Sequence, residues 1–266
     1  MSAAAYPTAW RPPPFMGTRA RQNVAIALGL AYCAWAISGL HIDSNRALAG
    51  FGRAADLLAR MVPPDFKRWD LLVKGLAESL QMAFASTLVG LLFGIPLGIA
   101  GARNLAPRTV YLAARAVIVV GRTFHEVIIA IFFVKLFGFG PVAGLLTLAF
   151  ASMIFLGKML AEDIENVRTG PIEAVRATGA GFGQVVVYAI IPQVLSRATG
   201  VAIYRLDANV RHSTVIGIVG AGGIGQTLSA SFSRYDHDFA AAILLSIVAI
   251  VALGEWFSDW VRRRMR

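Results

Sequence analysis

Apolar residues in this chain come in long blocks rather than in alternation, and charge, glycine or proline marks the breaks between blocks. Gln22 to Leu40 carries no charged residue and is long enough to cross ~30 Å of hydrocarbon as a helix. A cleaved leader shares the basic flank and apolar core, but its core is shorter and ends at a small-x-small site. None is clear here, so a retained helix is expected. Ser44 to Met61 differs. Leu48, Phe51, Ala55 and Leu58 form one stripe, while Arg46, Arg53 and Arg60 recur on another face. That pattern predicts a helix lying in the interface (44–62), stopped by Pro63 and Pro64. Leu80 to Ala100 is the second predicted span. Gly90, Gly94 and Gly98 open one of its faces to another helix, and Pro96 predicts a kink. Val110 to Leu136 is interrupted by Arg115, Arg122, His125, Glu126 and Lys135 and would run ~40 Å as one helix. A tilted or broken helix is expected there, with Gly121 as the break. Phe139 to Gly157 is the fourth span, the fifth starts near Pro192, and Phe239 to Gly254 is the sixth, followed by Trp256 and Trp260 as interfacial anchors. The chain therefore reads as an all-α polytopic membrane protein with about six transmembrane helices.

Composition agrees. The chain is 57% hydrophobic and 15% charged, with mean hydropathy +0.64, where soluble chains carry about 25% charged residues. The net charge of +10 raises nucleic acid as a partner. Its placement argues against that, because much of the excess sits at Arg11, Arg19 and Arg21 and at Arg262, Arg263, Arg264 and Arg266, flanking apolar blocks. That is the positive-inside pattern, and it predicts both termini on the cytoplasmic side of a bacterial plasma (inner) membrane, with membrane lipid as surroundings. Residues 1–21 carry Pro7, Pro12, Pro13 and Pro14 and are expected to be disordered; 262–266 form a basic tail. Residues 45–74, 138–141 and the glycine-rich stretch near Gly220 fall outside in this topology, although the first of these carries several basic residues. Cys33 is the single cysteine, so no intrachain disulfide is possible. No internal repeat is visible, and no soluble domain fits between the spans.

Between the fourth and fifth spans lies a polar stretch, EAVRATGAGFGQVVVYAIIP, from Glu173 to Pro192. Pro171 suits the first turn of a helix, and Glu173 is expected in that same turn, where the helix dipole favours an anion. Ile172, Val175 and Gly179 make one narrow apolar stripe, and Gly179, Gly181 and Gly183 allow a reversal. The expectation is a short helix on the membrane surface, offered to something outside the bilayer. Glu173 with Ala174, Gly179 six residues on and Pro192 thirteen further resembles the cytoplasmic loop of ABC import permeases. The sequence departs from the usual form at Val175, Ala189 and Ile191, apolar for apolar. ATGAGFGQVVVYAIIPQVL and YRLDANVRHSTVIGIVGAGGIGQTL are similar to the phosphonate-import branch (phosphonate or phosphite) in particular. The resemblance extends more loosely from about Pro63 to the C-terminus. It implies a type I importer permease core (76–261) with a coupling loop (161–192) in which Glu173, Ala174, Arg176, Gly179 and Pro192 meet an ABC ATPase dimer on the cytoplasmic side. It also implies a separate solute-binding protein outside, a second permease copy as a homodimer, and an anionic small-molecule cargo. No catalysis and no cofactor of its own follow: the chain lacks a G-x-x-x-x-G-K-[ST] loop, so ATP and Mg would be bound by the partner ATPase.

The charges of the fifth span need a reason, since each costs roughly 2.5–3.5 kcal/mol at membrane depth on insertion scales. Arg205 with Asn209 and Asp207 with Arg211 are i, i+4 pairs. They either pair internally or, with Arg122 and Glu126, line a pathway for an anion, which arginine forks suit. Glu126 follows His125 where the resembling permeases often have Pro or Asn, which points to a structural role for Glu126 and leaves the cargo more open. Gly220, Gly222 and Gly225 spell G-x-G-x-x-G after the strand-like 215–219, but a dinucleotide site needs a βαβ unit, and no parallel-sheet pattern exists. Gly220, Gly222 and Gly223 then either pack against a neighbouring helix or present N–H groups to the pathway. The four histidines are scattered and form no metal constellation. The alternatives are an import permease for another solute such as an amino acid, a proton-coupled secondary transporter using Arg122, His125 and Glu126, and a membrane-anchored dinucleotide enzyme.

Overall fold

The computed structural model describes residues 19–39 and 44–264, all of whose regular elements are helices. Most of the expected disordered start (1–18) and the last two residues of the basic tail lie outside the described residues. The chain divides into two compact units, residues 1–59 and 60–266. In the first, α1 (Arg19–Gly39) is helical over most of the first predicted span, and α2 (Ser44–Arg60) is helical over the predicted amphipathic segment.

The second unit is built on α3 (Trp69–Ala100), a 32-residue helix about 48 Å long. It lies along α6 (Pro141–Glu165), and the glycine stripe is the reason they fit. A Cβ at Gly94 would lie 3.1 Å from Leu156 Cβ, and one at Gly98 2.9 Å from Leu160 Cβ. Only glycine permits this approach. Pro96 sits inside α3 without ending it.

The third predicted span is broken, as expected, but not at Gly121. α4 (Arg108–Thr123) and α5 (Glu126–Phe137) meet at 91° across Phe124 and His125. Gly121 stays helical because its bare face takes the Ile154 side chain: a Cβ there would lie 2.6 Å from Ile154 Cδ1. The bend falls where His125 turns its Nδ1 to cap the Val127 N–H at 3.3 Å.

Beyond α6 come α7 (Thr169–Ala177), α8 (Phe182–Val185), a π turn (Val186–Ile190), α9 (Ile191–Ile218), α10 (Gly223–Ser233) and α11 (His237–Arg264). The core runs in three layers along α3. Leu72, Ile224, Leu228 and Phe239 pack near its start, Met82, Val134, Leu148 and Ile216 in its middle, and Ile164, Ile172, Ile190 and Val194 beyond its end.

Four stretches among the described residues are long and apolar enough to cross a membrane, or five with the bent pair counted as one span. The sequence predicts six. The difference is α1, whose first turn carries Arg19, Arg21, Gln22 and Asn23 and pulls its hydropathy below the others.

Candidate functional site

Arg205 lies midway along α9 and is 5% exposed. Its Nε donates to Ser152 Oγ on α6 and its Nη2 to Glu126 Oε1 on α5, each at 2.9 Å. The guanidinium also stands 5.4 Å from the centroid of the Phe155 ring. One turn on, the fully buried Asn209 turns its Nδ2 to three hydroxyls: Ser152 Oγ and Thr87 Oγ1 at 2.9 Å and Ser86 Oγ at 3.2 Å. Ser86 and Thr87 in turn donate to the Ala83 carbonyl. The expected i, i+4 partners Arg205 and Asn209 thus meet through Ser152 rather than directly. His212 Nδ1 closes on the second oxygen of Glu126. Four helices are joined at one polar level inside an apolar bundle, and each charge has a counter-charge, as burial demands.

The other predicted pathway charges lie apart from this knot. Arg211 pairs with Asp207 at 2.9 Å, the expected i, i+4 contact, and with Glu255 on α11. Arg122 is exposed on the last turn of α4, and His125 is an exposed cap rather than a partner of Glu126.

The glycine-rich segment is a tight turn between α9 and α10. Val215 to Ile218 form the last turn of α9, so no strand precedes the glycines and the βαβ requirement of a dinucleotide site fails. Gly220, Gly222 and Gly223 have φ of +93°, +84° and +71°, backbone that a side chain resists. The turn is also crowded: a Cβ at Gly222 would lie 2.7 Å from Pro141 N, and one at Gly223 2.8 Å from Met82 Cε. Its backbone is occupied as well. Gly223 N–H donates to Glu78 Oε2 at 3.3 Å, Ile224 N–H to Ser79 Oγ at 3.0 Å, and Gly140 N–H to the Gly220 carbonyl at 3.0 Å. The carboxylate of Glu78 stands where a free N–H nest would meet an anion.

At the other end of α3 sits the predicted surface helix. α7 starts at Thr169, two residues before Pro171, so Glu173 falls past the first turn and not within it. Ile172 is 7% exposed and Val175 half-buried against Ile164, Val185 and Ile190, as the apolar stripe predicts. Glu173, Ala174, Arg176 and Gly179 are exposed, as is Pro192 at the start of α9. Of the three glycines only Gly179 uses left-handed backbone, with φ +80°. Gly181 is extended and caps α8, its N–H bonded to Gln184 Oε1 at 2.8 Å. The end of α6, just before α7, is braced: Arg115 pairs with Glu165 at 2.9 Å and donates to the Gly101 carbonyl, and Asn104 donates to the Ile164 carbonyl, while the N–H of Arg168, next to α7, donates to Gln193 Oε1 at 3.0 Å. Gly179→Ala is expected to cost about 1 kcal/mol through backbone strain alone, since open space surrounds its Cα. A thermal melt of the purified protein checks this.

Ser86, Thr87, Ser152, Glu78 and His212 were not singled out by sequence. The available signal was weak: Ser79, Ser86 and Gly90 share the buried face of α3, but a serine in an apolar block reads equally well as packing.

Residues 94–266 match the family described as binding-protein-dependent transport system inner membrane component. The chain belongs to that family. This permease is 39% identical over 245 residues to the phosphite transport system permease protein PtxC of Stutzerimonas stutzeri, covering 92% of this chain and 89% of that one. It is 40% identical over 211 residues to the phosphate-import permease protein PhnE of Mycolicibacterium smegmatis, covering 79% of this chain but only 40% of that longer protein. Among solved structures, a chain of the MetNI methionine ABC transporter in its inward-facing conformations superposes with a TM-score of 0.66 at 27% identity, over 76% of this chain and 99% of that one. The permease is thus an inner-membrane component of an ABC import system with the type I importer fold, and the sequence expectation of family and fold holds.

Proposed function

We propose that this permease forms the translocation pathway for a phosphonate or a related phosphorus oxyanion such as phosphite, working as a homodimer. Each copy docks its Glu173 helix into one subunit of a cytoplasmic ATPase dimer, which binds the ATP and Mg that the permease itself does not. A separate binding protein delivers cargo from outside, and both termini of the permease lie in the cytoplasm. The observation that carries the coupling half is α7 itself: its apolar edge is buried against the core while Glu173 and Arg176 face outward. A rigidly docked helix with a bare polar face transmits a push from a partner into α3, α6 and α9. The relatives named for phosphite and phosphate support the cargo, together with a buried arginine among hydroxyls.

Proteoliposomes holding the permease with its ATPase and binding protein test the reading. Phosphite uptake is expected to require ATP and to continue when a protonophore collapses the proton gradient. Prompt arrest by the protonophore at constant ATP would replace this reading with a proton-coupled carrier.

A further inference from the structure

Both oxygens of Glu126 are taken by one face of α9, Oε1 by Arg205 Nη2 at 2.9 Å and Oε2 by His212 Nδ1, two turns further along. The Arg205 half of the site is fixed. Arg205 is 5% exposed, its Nε is held by Ser152, and its guanidinium lies by the Phe155 ring. The anionic side is not part of that frame. Glu126 is the first residue of α5, directly after the 91° bend, where Arg122, Thr123, Phe124 and His125 are all exposed. The site also reaches the surface, since the His212 side chain is 40% exposed and that of Glu126 21%.

We propose that Glu126 is a tethered stand-in for the transported anion: a phosphorus oxyanion takes its place between Arg205 and His212 and releases the α4–α5 elbow. The proposal rests on the cargo reading given above. The chemistry is matched, because any two phosphoryl oxygens present to Arg205 and His212 what the carboxylate oxygens present now, with a third left over for another donor. The physics supplies the coupling. A buried guanidinium stripped of its counter-charge is strongly unfavourable, so Glu126 leaves only when another anion arrives. The elbow then opens with cargo and stays shut without it. Arg211 does not serve in this exchange, being already held by Asp207 and Glu255.

The permease–ATPase complex in nanodiscs, without binding protein, is titrated with phosphite, inorganic phosphate, sulfate and chloride. Glu126→Gln, which keeps an acceptor but removes the charge, is expected to tighten phosphite binding at least tenfold over the native complex. Adding Arg205→Gln to that variant abolishes the gain. In a second measurement Glu126 is kept, and Cys33→Ser with Thr123→Cys reports maleimide labelling at the elbow. Phosphite is expected to speed labelling at least threefold. Unchanged affinity for all four anions in the assembled Glu126→Gln complex overturns the proposal; should that variant not assemble, unchanged labelling does so. If native transporter imports phosphite while no anion gains from Glu126→Gln, the stand-in idea fails and the cargo reading survives. If sulfate or chloride gains and phosphite does not, the exchange site survives and the cargo reading falls.

Discussion

Glu173→Lys is expected to lower ATP-driven uptake at least a hundredfold while leaving the permease inserted and folded. The side chain stands exposed on α7 and makes no ion pair or hydrogen bond among the described residues. Lysine is as good a helix former as glutamate, so the change in stability falls within about 0.5 kcal/mol. What holds α7 in place is the neighbouring Ile172, 7% exposed, which the substitution does not touch. The loss arises at the partner instead, where reversing one charge in a docked contact sets like against like at a cost of several kcal/mol. Two readouts separate the effects: uptake, and retention of the ATPase on the purified permease. Native uptake by Glu173→Lys would remove this helix from the coupling path. Ile172→Asp is the converse control, since it buries a charge under α7 and is expected to melt the helix and lose the ATPase together.

The parts of this molecule that were legible in sequence are those whose cause is local. Helix existence followed from apolar runs, and the stripe of Ile172 and Val175 told which edge of α7 is buried. The four-residue glycine spacing in α3 announced a close helix neighbour, and α6 is that neighbour. The pair Asp207–Arg211 was visible because both partners lie on one helix at bonding distance. What escaped depends on which elements meet. Gly121 looked like a break but serves as a seat for Ile154, thirty-three residues away in sequence, and the bend passed to Phe124 and His125. Sequence groups Glu126 with Arg205 only as charges of one candidate pathway; their direct pairing, and the contacts of Glu126 with His212 and of Asn209 with Ser152, exist only once α5, α6 and α9 have packed. Pro171 does stand in the first turn of α7, but proline tolerates any of the first positions, whose N–H groups lack partners in every helix, so it does not tell that the helix begins at Thr169 and leaves Glu173 past that turn.

Gly90→Val is expected to damage the α3–α6 contact severely, costing roughly 3 kcal/mol or more and removing transport with it. Gly90 faces Ser152 across the α3–α6 contact, and a Cβ placed there would lie 3.1 Å from the Ser152 backbone carbonyl carbon and closer still to its Cβ. The obstacle is main chain in the middle of α6, which cannot rotate away as a side-chain tip does. Alanine alone therefore overpacks the site, typically at 1–3 kcal/mol, and the two further methyl groups of valine exceed that. The functional consequence follows from what Ser152 holds. Its hydroxyl accepts both Arg205 Nε and Asn209 Nδ2, so pushing α6 off α3 pulls apart the polar knot that fixes the buried guanidinium. Melting temperature and uptake are expected to fall in the order glycine, alanine, valine, with uptake falling faster than stability. A valine variant that melts like the native permease would mean that the two helices do not touch at Gly90. An alanine variant destabilised but transporting normally would mean that the Ser152 knot tolerates displacement, and that Arg205 is not held in place for transport.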